Sequence, residues 1–143
     1  MITRRKRTEI LIRGRKDTLR QLATDIESRY DIKLLQSPQN ALVMVKMRES
    51  AKAGLFYLGE VLITESKVIL NQWVGTGIIR GHDPESAYML AVIDAAYNAE
   101  LPIINEWEET LLSEELWIQT KQRMELEAVH STKVNFESMK LDI

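Results

Sequence analysis

The chain has 143 residues, 45% of them hydrophobic and 28% charged, with a formal net charge of −2. Such a chain is long enough for one globular domain with a real core, and its charge gives no global attraction to nucleic acid or to a membrane. It contains no cysteine, which excludes disulfides, thiolate zinc sites, iron–sulfur clusters and a cysteine nucleophile within these residues.

The two histidines, His82 and His130, are far apart and lie outside any metal-ligand pattern. The basic start, 4-RRKR-7, is not followed by an apolar run of secretory-signal length, and no apolar stretch is long enough to span a bilayer. A soluble, cytoplasmic protein is expected.

In chain order, a short basic helix is predicted over Thr3 to Arg13, broken at Gly14. A second starts at Asp17 or Thr18 and runs to about Tyr30, with a stripe of Leu19, Leu22, Ala23, Ile26 and Tyr30 at helical spacing. Residues 1–33 hold ten Lys and Arg against five Asp and Glu, a solvated face or a surface for an acidic partner. Strand patterns follow: Ile32 to Ser37, a turn at Pro38-Gln39-Asn40, then Leu42 to Met47, Phe56 to Thr64 and Lys67 to Val74, with a tight turn at Glu65-Ser66. Gly75 to Ile79 continues the last strand or adds another. This order predicts an antiparallel meander.

The stretch 75-GTGIIRGHDPESA-87 places three glycines before a helix start. Its G-x-G-x-x-x-G spacing is one residue too long for a dinucleotide fingerprint, and it lacks the Gly-Lys-Ser/Thr of a P-loop. Asp83 suits the N-cap and Pro84 the first helical position. Asp83 and Glu85 therefore occupy the helix N-terminus with negative charge, which repels a phosphate. The glycines are expected to serve bending, close packing and the turn at Gly81.

The helix from Pro84 to about Asn98 is apolar almost all round and is expected to be buried on most sides. Residues 100–127 read as two further helices with a break at Leu112-Ser113, and carry eight Glu against Lys121 and Arg123. The ends of the chain thus have opposite charge, and pair with each other or with different partners. In the tail, 128-AVHSTKVNFESMKLDI-143, Val134, Phe136 and Met139 either fold back on the core or anchor an extended arm on a partner. The expected whole is an α+β fold: an antiparallel meander of about four to five strands packed with helices, a helical N-terminus, two C-terminal helices and an extended tail. Within one domain over 1–143, residues 1–30 are helical, 31–80 form the sheet, 83–128 are helical and 129–143 form the tail.

Two carboxylates stand in apolar company. Alternation puts Glu60 on the face of Phe56, Leu58 and Leu62, and Asp94 lies within 91-AVIDAAY-97. Buried acids are paired, or have a raised pKa suited to acid–base chemistry.

Three segments, 59-GEVLITESKV-68, 81-GHDPESAYMLAVIDAA-96 and 134-VNFESM-139, in that order and spacing, resemble the PhnG family, the G subunit of bacterial carbon–phosphorus lyase. The likeness runs from about Leu55 to Met139, with departures at His82, Asn135, Glu137 and Ser138. It implies an accessory subunit of a soluble core complex with the H, I and J subunits, two copies each, in a pathway that also uses the K and L subunits. The implied early step, which needs the G, H and L subunits beside a catalytic I subunit, displaces adenine from MgATP by an alkylphosphonate to give ribose 1-phosphonate 5-triphosphate. The J subunit then cleaves the carbon–phosphorus bond with an iron–sulfur cluster, which a chain without cysteine cannot hold. The resemblance carries over no catalytic residue. Glu60, Thr64, Asp83 and Asp94 are the candidates from the sequence, and no cofactor is expected on this chain alone. The alternatives are a stand-alone small-molecule-binding or regulatory α+β domain, and a hydrolase using Glu60 or Asp94.

Overall fold

A computed structural model describes residues 2–51 and 53–141, with side chains as far as Thr132. Two N-terminal helices, α1 (Arg4–Arg13) and α2 (Lys16–Arg29), precede three strands, β1 (Ile32–Arg48), β2 (Leu55–Leu70) and β3 (Trp73–Arg80), and two helices, α3 (Pro84–Asn98) and α4 (Ile104–Leu141). The sheet is an antiparallel meander in the order β1-β2-β3.

The N-terminal helices follow local rules. Thr3 caps α1 by accepting from the Lys6 amide at 3.2 Å, and α1 ends at Gly14. Leu19, Leu22, Ala23 and Ile26 form the buried stripe of α2, as their spacing requires.

The strands are fewer and longer than the four to five expected. Pro38 does not make a turn. Register shifts between Leu34 and Gln36 and between Gln36 and Gln39 let β1 carry extra residues as bulges, where a missing amide donor costs no ladder bond. Glu65 and Ser66 lie within β2, and the reversal falls six residues later at Asn71, whose φ of 57° suits a tight hairpin turn.

Helix α3 covers one face of the sheet, burying Ala87 and the run Met89–Ala96. Gly75 and Gly77 bring β3 against it. A Cβ at Gly75 would lie 2.0 Å from the Ala91 carbonyl oxygen, and one at Gly77 2.0 Å from that of Ala87. The opening pair of glycines thus permits backbone-to-backbone packing, while Gly81, at φ 84°, makes the turn into the helix. The end of α3 is a Schellman motif with Glu100 at φ 51°, where the Leu101 amide returns to the Ala96 carbonyl. The core joins α1, α2 and α3 to Val68 and Leu70 of β2 and to Leu101, Ile103, Trp107 and Leu111.

The break expected at Leu112-Ser113 is absent, and α4 is one helix of 38 residues, about 57 Å long. Nothing in 110-TLLSEELW-117 stops a helix, since a mid-helix serine costs only tenths of a kcal/mol, and Glu114 is anchored on Arg15 and Thr18 at the start of α2. The helical backbone of α4 runs on into the segment expected to be extended. The side chains of Val134, Phe136 and Met139 lie outside the described residues. Residues 119–132 of α4 are all exposed.

Beyond the stretch paired with β3, β1 and β2 continue as a two-stranded arm, Leu42–Arg48 against Leu55–Leu62. Large apolar side chains remain in solvent along it, among them Leu42 (63% exposed), Leu58 (62%) and Leu55 (64%).

Candidate functional site

Three polar centres lie against the core, and two of them hold its buried charged side chains, Arg7, Asp94 and Glu114. The first is built on Asp94, which α3 buries at the level of β3. Arg4 donates to it from Nε to Oδ1 at 3.0 Å and from a terminal nitrogen to Oδ2 at 2.8 Å. Arg7 donates to Oδ1 at 2.8 Å, and the Thr76 amide to Oδ2 at 3.0 Å. Four donors occupy the four acceptor positions of a carboxylate. Arg4 and Arg7, three residues apart on one turn of α1, reach Asp94 together. Arg7 is itself buried and lies 4.0 Å from the centre of the Tyr97 ring. Burial lowers the pKa of the Arg7 guanidinium, against the pull of Asp94. Burial raises that of the Tyr97 hydroxyl.

The second centre ties α4 to the α1–α2 junction. Glu114, buried, accepts from the Arg15 amide and Nε, both at 2.9 Å, and from the Thr18 hydroxyl at 2.7 Å. Gly14 makes the room, since a Cβ there would sit 2.7 Å from Glu114 Oε2. Burial pushes the Glu114 carboxyl up, but the Arg15 and Thr18 hydrogen bonds outweigh it and hold the pKa below the usual range. Lys6 and Glu115 pair beside it at 2.8 Å. The oppositely charged ends of the sequence therefore pair with each other.

The third centre is the corner where β2 meets the start of α3. The buried Thr64 hydroxyl donates to the Gly81 carbonyl at 2.6 Å and accepts from the Asp83 amide at 3.0 Å. Asp83 caps α3, accepting from the Ser86 amide at 3.1 Å, and faces Lys16 at 3.3 Å. Partial burial raises the Asp83 pKa, and these donors reverse that to a net lowering. His82 Nδ1 lies 2.9 Å from Asn40 Oδ1 on the exposed rim.

Of the four sequence candidates, only Thr64 and Asp83 are joined directly. Asp94 stands in its own centre. Glu60 is exposed on the arm, and its expected surroundings are corrected by a bulge. Val45 pairs with Gly59 and Lys46 with Tyr57, so two residues of β2 oppose one step of β1. Glu60 then faces out with Met44 and Leu62, while Phe56 turns to the other side with Met47. Strict alternation misplaces every residue beyond such a bulge. The sequence reading also missed Arg4, Arg7, Arg15 and Glu114. The three-residue spacing of Arg4 and Arg7 was a visible signal, but their partner is 87 or more residues away.

A cleft of about 170 Å³ beside Asp94 is lined by Arg4, Arg7 and Thr76. A wider one of about 610 Å³ opens between α1 and the α3–α4 connection, bordered by Ile2, Tyr97, Glu100 and Glu108. Neither includes Glu60, Thr64 or Asp83. Among the described residues no three His, Asp or Glu gather as a metal site, and no helix is long and apolar enough to cross a membrane.

An α+β scaffold whose buried acids are saturated by internal donors, and whose largest apolar display is an uncovered arm, has the character of a component built to be assembled. The family model for the phosphonate metabolism protein PhnG matches residues 2–140. The chain belongs to this family, and its role lies in phosphonate metabolism, in the carbon–phosphorus lyase system. A comparison with curated proteins gives no match.

Proposed function

We propose that this chain is an accessory subunit of the carbon–phosphorus lyase core complex, assembled with the H, I and J subunits in the cytoplasm. In that role it is needed, with the H, I and L subunits, for forming ribose 1-phosphonate 5-triphosphate from MgATP and an alkylphosphonate with release of adenine. The family match across residues 2–140 carries this reading. The polar centres support it: Asp94 and Glu114 spend their lone pairs on Arg4, Arg7, Arg15 and Thr18, an arrangement suited to holding α1 and α4 rather than to proton transfer with a substrate. MgATP is then a substrate of the complex, met at an interface shared with other subunits.

The test is affinity purification of the tagged chain from its own host during growth on a phosphonate. Stoichiometric recovery of H, I and J subunits is the expected result. Recovery of the chain alone, soluble and monodisperse, would refute the subunit role.

A further inference from the structure

The wider cleft, about 610 Å³, has walls of opposite charge. Arg4 and Arg7 of α1 stand on one side, and Glu100 and Glu108, from the α3–α4 connection and α4, on the other. We infer that this cleft binds a small amphipathic zwitterion, an amino carboxylate whose two charged ends are separated by an apolar body. The inference goes beyond the subunit reading above and does not depend on it.

Arg7 is the first reason. It is only 6% exposed, and among the described residues one of its five N–H groups is spent, from Nη2 on Asp94. Its Nε and Nη1 meet no acceptor there. Among the described residues, Trp107 Nε1 is the one buried side-chain polar atom with neither a partner nor contact with solvent. The Nε and Nη1 of Arg7 therefore open onto the clefts that Arg7 lines. Tyr97 covers one face of the guanidinium at 4.0 Å, so an acceptor must approach in its plane. Buried polar groups are normally satisfied, and an anionic oxygen is the strongest partner for unspent guanidinium donors.

The second reason is that the two walls do not satisfy each other. Arg4 and Arg7 pair with Asp94, and neither Glu100 nor Glu108 has a cationic nitrogen within 4.0 Å among the described residues. Two guanidiniums against one carboxylate leave a single net positive charge on the α1 side, while the far side carries two negative charges. A monoanionic head and an ammonium group on one molecule answer both walls. A phosphate-type head, at roughly −1.5 to −2, carries more charge than the α1 side balances, so the head is a carboxylate.

The remaining lining fits the body of such a molecule. Ile2, Leu101 and Ile104 offer apolar contact to an alkyl chain or ring. Asn98 gives its amide nitrogen to the Val74 carbonyl, which turns its Oδ1 to the role of acceptor for an ammonium. The volume lies within the ~300–1,000 Å³ usual for small-molecule sites, whereas the cleft beside Asp94, at about 170 Å³, is below it.

The test is titration of the isotope-labelled full chain, followed by the backbone amide signals of Asn98, Glu100, Asn105 and Glu108. The probes are the ω-amino acids from 4-aminobutanoate to 8-aminooctanoate, with hexanoate, hexylamine and 5-aminopentylphosphonate for comparison. At least one amino acid is expected to shift these four signals, with at least tenfold higher affinity than hexanoate or hexylamine. The double variant Glu100→Gln, Glu108→Gln changes exposed positions and should keep the urea midpoint. It should bind the amino acid at least tenfold more weakly and hexanoate no less tightly, a split that general loosening of the fold would not produce. Absence of shifts, shifts confined to other parts of the chain, or equal affinity for hexylamine overturns the inference. So does a double variant that still prefers the amino acid tenfold. Tighter binding of 5-aminopentylphosphonate than of 6-aminohexanoate overturns the carboxylate head.

Discussion

Adding a single methyl group at Gly77 should show whether β3 and α3 are held at backbone contact. The Cβ of Gly77→Ala would lie 2.0 Å from the Ala87 carbonyl oxygen and 2.6 Å from the Ala91 amide nitrogen. Ordinary contact begins at 3.4 Å, so strand and helix must part by about 1.4 Å, the difference of the two distances. A side chain could rotate away, but the obstacle here is main chain on both sides. A gap of ~1 Å forfeits a quarter to a half of each dispersion contact along the seam. Overpacking a rigid core costs about 1–3 kcal/mol, and the backbone clash places this case at or above the upper end, ~3 kcal/mol. Gly54→Ala is the control, because nothing lies within 4 Å of its Cβ and its backbone is not left-handed. There the loss of chain entropy in the unfolded state should leave stability unchanged or raised by ~0.5–1 kcal/mol. Urea denaturation followed by tryptophan fluorescence measures both. A Gly77→Ala chain within 1 kcal/mol of wild type, with an unchanged m-value, would refute backbone contact as the reason for the glycine.

Two further outcomes follow from the buried acids. Asp94→Asn leaves the buried Arg7 beside a neutral group and turns one acceptor into a donor facing Arg4 or the Thr76 amide, so it should cost ~3–5 kcal/mol by the same urea assay, and a loss below 1 kcal/mol would show the centre to be dispensable. The Glu114 carboxyl has its folded pKa below the unfolded value near 4.5, so its stabilisation is complete above that value and is lost as pH falls through the lower folded pKa. The difference in urea midpoint between wild type and Glu114→Gln should therefore shrink as pH drops below about 4.5. A difference that is constant or grows on acidification would contradict the hydrogen-bond assignment.

Much of the architecture was legible. The limits of α1 and α3 follow from Thr3, Gly14, Asp83 and Pro84, whose effects reach only three or four residues along the chain. The α2 stripe follows from helical periodicity, and the meander from strands adjacent in sequence. The errors have a common cause. Pro38 and Glu65-Ser66 read as turns because turn propensity is local, whereas a partner strand can absorb a proline in a bulge and carry polar residues through the sheet. Ser113 read as a cap because it precedes two glutamates, yet Glu114 is spent on Arg15 and Thr18 of another element. Glu60 read as sitting beside Phe56 because alternation has no knowledge of the bulge at Leu58-Gly59.

The amino-acid sequence by itself determined the absence of thiolate chemistry, the apolar character of α3, the caps, and the family likeness confirmed over residues 2–140. Those are properties of composition, of short-range backbone geometry and of ordered motifs. Only the tertiary structure decided that Arg4 and Arg7 converge on Asp94, that Gly75 and Gly77 lie against the α3 backbone, and that Leu42, Met44, Val43 and Phe56 share a ribbon in solvent. Pairs separated by some 10 to 90 positions meet only when strand register and helix packing bring them together, and neither is written in any local window of the chain.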